Sequence, residues 1–106
     1  MKSNQITRGE QRRVMYVENK NGLIDGVAAR IGWVEFSKTG RTVYYRGKSF
    51  QACTGGGISG NFFDADTHEE YWISGVKKLG SNVHYTESVS VLIDEDAKEE
   101  VVRLRA

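Results

Sequence analysis

Between Ile31 and Lys48 the chain reads Ile-Gly-Trp-Val-Glu-Phe-Ser-Lys-Thr-Gly-Arg-Thr-Val-Tyr-Tyr-Arg-Gly-Lys, two runs rich in β-branched and aromatic residues around Thr39-Gly40. Such a pattern reads as a β-hairpin. A two-residue loop at Thr39-Gly40 and a four-residue loop from Lys38 to Arg41 give the same register. Phe36 then faces Val43, Val34 faces Tyr45 and Gly32 faces Gly47. Side chains alternate faces along a strand, so these six positions share one apolar side. The other side carries Ser37 with Thr42, Glu35 with Tyr44, Trp33 with Arg46 and Ile31 with Lys48. Trp33 opposite Arg46 is the geometry of a cation–π pair, worth roughly 0.5 to 1 kcal/mol at an exposed site. A three- or five-residue loop would slip the register and change every pairing.

The remaining segments extend this β pattern. A strand is expected at Val14 to Glu18, followed by a turn at Asn19-Lys-Asn-Gly22. Ser49 to Cys53 either extends the second hairpin arm or begins another strand. Asn61 to Asp64 and Glu70 to Ser74 form a second hairpin around the polar loop 65–69, and Ser88 to Ile93 alternates as a last strand. From Asp94 the period changes: Ala97, Val101 and Leu104 recur at helical spacing, with Asp94 as N-cap, acids in the first turn, Arg103 and Arg105 in the last, and a Glu99–Arg103 pair. With no proline and 12 glycines, the turns fall to glycine and asparagine. The expected fold is mainly β: a small, strongly bent antiparallel barrel or roll of about six short strands with a C-terminal α-helix over 95–105. Residues 1–12 read as a flexible basic tail, and 13–106 as a single domain.

Composition limits the function classes. At 106 residues, with 39% hydrophobic and 27% charged content, the chain suits one globular domain that needs no disulfide or metal staple. It contains no apolar run of membrane-spanning length, and its basic N-terminus lacks the apolar centre of a signal peptide. A single cysteine, Cys53, excludes an internal disulfide. These features place the expected location in the cytoplasm, away from any membrane. Net charge is +1, but carboxylates crowd between Asp94 and Glu100, leaving a mild surplus of bases elsewhere. That surplus is compatible with nucleic acid and far short of demanding it.

Motifs with catalytic or cofactor associations fail their physical requirements. Gly55-Gly-Gly57-Ile-Ser-Gly60 fits Gly-x-Gly-x-x-Gly, but Asn61-Phe-Phe-Asp then reads as strand where a phosphate-holding helix must begin. Gln51-Ala52-Cys53-Thr54-Gly55 is similar to the caspase cysteine signature, whose histidine lies upstream, whereas His68 and His84 lie downstream. Asp64-x-Asp66-x-His68-Glu69-Glu70 has closely spaced carboxylates but Glu69 where an EF-hand loop needs glycine. Neither histidine has the spacing or cysteine company of a zinc site. No cofactor, metal ligand or catalytic residue is expected, and the residues lean away from an enzyme.

Taken together, Ala29 to Gln51, the block Glu69-Glu-Tyr-Trp-Ile-Ser-Gly-Val-Lys-Lys78 and Ile93-Asp-Glu-Asp96 resemble a group of small uncharacterised bacterial proteins, over about Tyr16 to Glu100. Some members carry the label 1-deoxy-D-xylulose-5-phosphate synthase, an enzyme several times longer whose thiamine diphosphate motif, Gly-Asp-Gly, is missing from this chain. The resemblance implies a compact bacterial domain without an assigned active site.

The expected function is therefore a small non-catalytic binding module. Trp33, Tyr44, Arg46 and Lys48, with Trp72, Lys77 and Lys78, form the candidate surface for a protein partner, because interfaces favour Trp, Tyr and Arg. The alternative is RNA or single-stranded nucleic acid stacked on and neutralised by the same residues. A third reading is a small hydrolase or transferase using Cys53 or the 64–70 acidic loop, and homo-oligomerisation through the same face is a further option. Trp33 is expected to be partly exposed beside Arg46; the competing expectation buries Trp33 and Tyr44 beneath the terminal helix or another strand.

Overall fold

The computed structural model describes residues 11–53, 60–76 and 90–105. Among these described residues seven strands follow one another: β1 (Gln11–Asn19), β2 (Ala29–Phe36), β3 (Thr42–Tyr45), β4 (Lys48–Ala52), β5 (Phe62–Asp64), β6 (Glu70–Gly75) and β7 (Val91–Ile93). A 3-10 turn (Glu95–Ala97) leads into the helix α1 (Lys98–Arg105). β2 to β6 form an antiparallel meander, and β1 pairs with both β2 and β6, so the sheet closes into a barrel. Closure gives each of these six strands a neighbour on both sides over at least part of its length. β7 is added to the outside as a parallel partner of β2.

Alternation along the strands sorts the side chains into two cores. Val17, Val34, Val43, Tyr45, Phe50, Tyr71 and Ile73 fill the barrel, and Ile24 from the β1–β2 connection plugs one end. Phe50 and Tyr71 meet there with ring centroids 4.5 Å apart. Outside the barrel, Val14, Tyr16, Ala29 and Ile31 on β1 and β2 pack under Ala97 and Val101, with Leu104 partly buried beside them. The helical stripe expected from the sequence is thus the face that α1 buries. Each aliphatic side chain enclosed this way stabilises the fold by about 1.5 to 3 kcal/mol relative to exposure.

The register around Thr39-Gly40 is the expected one at its closed end: Phe36 pairs with Val43 and Glu35 with Tyr44. The Ser37 amide donates to the Thr42 carbonyl at 2.9 Å, leaving a four-residue loop whose Gly40 has a φ of 76°. Beyond Tyr44 the expectation fails, because Tyr45 is not paired with Val34. Arg46 and Gly47 both adopt positive φ, 51° and 76°, the signature of a two-residue reversal. The chain turns back at that point, so Lys48 pairs with Tyr45 and β4 begins. Ile31 is paired instead with Tyr16 on one side and Ile93 on the other.

Four further corrections concern the ends. β1 starts at Gln11, so Gln11 and Arg12 belong to the barrel and not to a tail; residues 1–10 lie outside the described residues, as does most of the expected Ser88 to Ile93 strand before Ser90. The α-helix proper begins at Lys98 and not at residue 95. Asp94 makes no side-chain cap, because its carboxylate is drawn into the barrel, and Arg103 pairs with Glu100 and not with Glu99.

Candidate functional site

β2 changes partner along one edge. β3 covers Glu35 and Phe36, β7 covers Ala29 to Ile31, and Gly32 to Val34 between them have no strand on that edge among the described residues. Asp94 enters at this gap, its amide donating to the Ile31 carbonyl at 2.8 Å. One carboxylate oxygen accepts from Arg30 at 2.9 Å, and the other accepts from the Tyr45 hydroxyl. Gly32 makes room for this: a Cβ there would lie 2.7 Å from the Tyr45 hydroxyl oxygen and would collide with the Asp94 carboxylate. Burial first, and then the bond to Asp94, push the Tyr45 phenol well above its ordinary pKa, so it acts as a neutral donor.

Arg30 completes the cluster by donating to the carbonyls of Ile24 (3.1 Å) and Asp25 (2.7 Å). Asp25 and Gly26 form a second tight reversal with positive φ, 48° and 93°. The Asp25 side chain accepts from Arg46 Nε at 2.5 Å, and Arg46 Nη1 stands 3.8 Å from Asp94. The hydrogen bond from Arg46 holds the Asp25 carboxyl below the usual carboxylate range. Two reversals are thus clasped by one ion pair at the barrel mouth. The dipeptide Asp25-Gly26 was the sequence signal for this contact, since Asp-Gly favours such turns.

On the outer face of β2, β3 and β4 a groove begins at this clasp. A cavity of about 380 Å³ is lined by Arg12, Trp33, Glu35, Tyr44, Arg46 and Lys48, among others. The first four candidate residues are therefore brought together. Trp33 is half-buried: its indole packs beside α1 and donates to the Asp96 carbonyl at 2.9 Å. The cation over its ring is Arg12, 4.8 Å from the centroid, and not Arg46, which is engaged by Asp25 and Asp94. Sequence reasoning missed Arg12, because it was assigned to a tail. Arg12 and Lys48 are in no salt bridge among the described residues.

Trp72 lies elsewhere, half-buried on β6 beside the cluster of Val14 and Tyr16, and Lys77 and Lys78 fall outside the described residues. Cys53 and His68 sit at opposite ends of β5: the Cys53 amide donates to Asn61, and the His68 amide to Asp64. His84 is outside the described residues. In the acidic loop, Asp64 accepts from the amides of Asp66 (2.7 Å) and Thr67 (3.2 Å), so it is occupied in shaping its own turn. Among the described residues no three acidic, histidine or cysteine side chains are grouped to hold a metal ion, and no helix is long and apolar enough to cross a membrane. What the groove offers is aromatic surface with Arg12, Arg46 and Lys48 around Glu35.

No family model, curated protein or solved structure matches the chain.

Proposed function

We propose that the protein is a non-catalytic binding module that holds a protein partner in the groove along Trp33. The observation carrying this reading is the pair of cations, Arg12 and Lys48, that flank two half-buried aromatics without a salt bridge among the described residues. Exposed charge beside aromatic surface is the composition of an interface, where Trp, Tyr and Arg dominate the energy. We also propose a cytoplasmic location, on the single cysteine of the sequence. Single-stranded nucleic acid is the second reading, favoured by the same aromatic and basic side chains.

The test is affinity capture from the organism that makes the protein, with nuclease treatment, using the native chain beside Arg12→Glu/Lys48→Glu. Both side chains lie on the outer face, so the variant keeps its core. A protein retained after nuclease by the native chain and lost by the variant supports the module. Loss of the captured material on nuclease treatment supports nucleic acid and contradicts the protein reading.

A further inference from the structure

Beside the basic cavity lies a second, of about 450 Å³, that shares Trp33, Tyr45 and Arg46 with it. Its other walls are Arg30, Leu92, Asp94, Glu95 and Asp96. The two adjoin at these shared residues and differ in charge: apart from Arg46, the first is lined by Arg12 and Lys48 with Glu35, and the second by Asp94, Glu95 and Asp96 with Arg30. At the first, Arg12 and Lys48 lack salt bridges among the described residues. At the second, Asp94 is used by Arg30 and Tyr45, and Glu95 pairs with the exposed Lys98 at 3.1 Å. The Asp96 side chain is in no salt bridge among the described residues, since only its carbonyl is used, by Trp33. Trp33 borders both cavities, and Leu92, 41% exposed, lines the second beside it.

Resting on the reading of the groove as a protein-binding site, we infer that its occupant is an extended peptide segment with acidic side chains at one end, an apolar or aromatic residue at the centre and a basic side chain at the other end. The acidic end lies against Arg12 and Lys48, the central residue against Trp33 and Leu92, and the basic end against Asp96 and Glu95. Charge complementarity of this kind selects partners and fixes register more than it adds affinity, because a like-charge end meets repulsion. A nucleic-acid strand is disfavoured for the same reason: it carries a phosphate at every nucleotide and meets Glu95 and Asp96 after passing Lys48.

Fluorescence anisotropy with the full chain tests this, using labelled peptides of equal length with an aromatic centre: one bipolar, one all-acidic, one all-basic. The bipolar peptide is expected to bind about tenfold more tightly than either other peptide, and Lys48→Glu and Asp96→Lys are each expected to weaken it by about fivefold. Asp96→Lys is also expected to raise affinity for the all-acidic peptide, an effect that misfolding cannot produce. Equal binding of the all-acidic and bipolar peptides, with Asp96→Lys silent, overturns the bipolar occupant and leaves the protein-binding reading standing. Displacement by an oligodeoxythymidine with steep salt dependence overturns both. Failure of every peptide to bind overturns the bipolar occupant, and sedimentation as a dimer sensitive to Lys48→Glu would then assign the groove to a second copy.

Discussion

Asp94 illustrates how one residue can satisfy two descriptions. By position it precedes a helix and looks like a cap, but its side chain instead bridges Arg30 and Tyr45 inside the barrel. Removing one partner of a buried pair leaves the other charge without compensation, which costs about 3 to 5 kcal/mol. Asp94→Ala is expected to lose stability in that range in urea unfolding, whereas Tyr45→Phe, which removes one hydrogen bond, is expected to lose about 1 to 2 kcal/mol. Gly32→Ala tests the same cluster sterically. The added methyl meets Asp94 and Tyr45, and crowding a packed site costs roughly 1 to 3 kcal/mol. The glycine was legible in the sequence as an apolar-face position. Its reason was not, because the atoms that need the space come from Tyr45 and from Asp94, the latter 62 positions later.

At the scale of elements, local signals were read well where they were strong. Thr39-Gly40 between β-branched runs gave the register at Phe36 and Val43, and the spacing of Ala97, Val101 and Leu104 gave the buried face of α1. The turn at Arg46-Gly47 was missed because arginine is unusual at positive φ, where asparagine and glycine are comfortable. That strain is local and the side chain is exposed, so Arg46→Asn is expected to change stability by no more than about 0.5 kcal/mol, since relief of strain offsets a surface ion pair. The same variant is expected to weaken ligand binding in the groove. A large fall in melting temperature would instead show that the clasp to Asp25 holds the barrel mouth together. In α1, Val101 is 4% exposed and Val102 70%. Val101→Ala is expected to cost about 1 to 2 kcal/mol, and Val102→Ala to gain a few tenths through helix propensity, roughly.

For the whole molecule, barrel closure was implied by the number of short strands but not specified by any one of them. It depends on β1 pairing with both β2 and β6, contacts between segments far apart in sequence. Closure also buries tyrosines, and this sets the response to alkali. An unfolded tyrosine loses its proton near pH 10. Burial, aided by Glu69 and Asp64, pushes Tyr71 up to about 12, and Tyr16 and Tyr45 are shifted in the same direction. The folded state therefore holds these protons where the unfolded state releases them. Their contribution to stability is complete below pH about 10 and falls as the pH rises above it, that of Tyr71 being lost through about 12. Tyrosinate absorbance from these residues should rise together with unfolding followed by near-UV circular dichroism. Ionisation that precedes unfolding would mean that the barrel interior is more open than its packing indicates.

The proposed ligand lies along Trp33 between Arg12 and Lys48 on one side and Asp96 on the other. The most direct measurement is an amide and indole nitrogen–proton correlation titration of the labelled chain with the bipolar peptide. The Trp33 indole N–H, now donated to the Asp96 carbonyl, is an internal reporter at the centre of the groove. The account predicts saturable shifts at that indole and at the amides of Arg12, Tyr44, Lys48 and Asp96, with Val101 and the barrel interior unchanged. Saturable shifts confined to other faces, with the Trp33 indole resonance fixed, would contradict it.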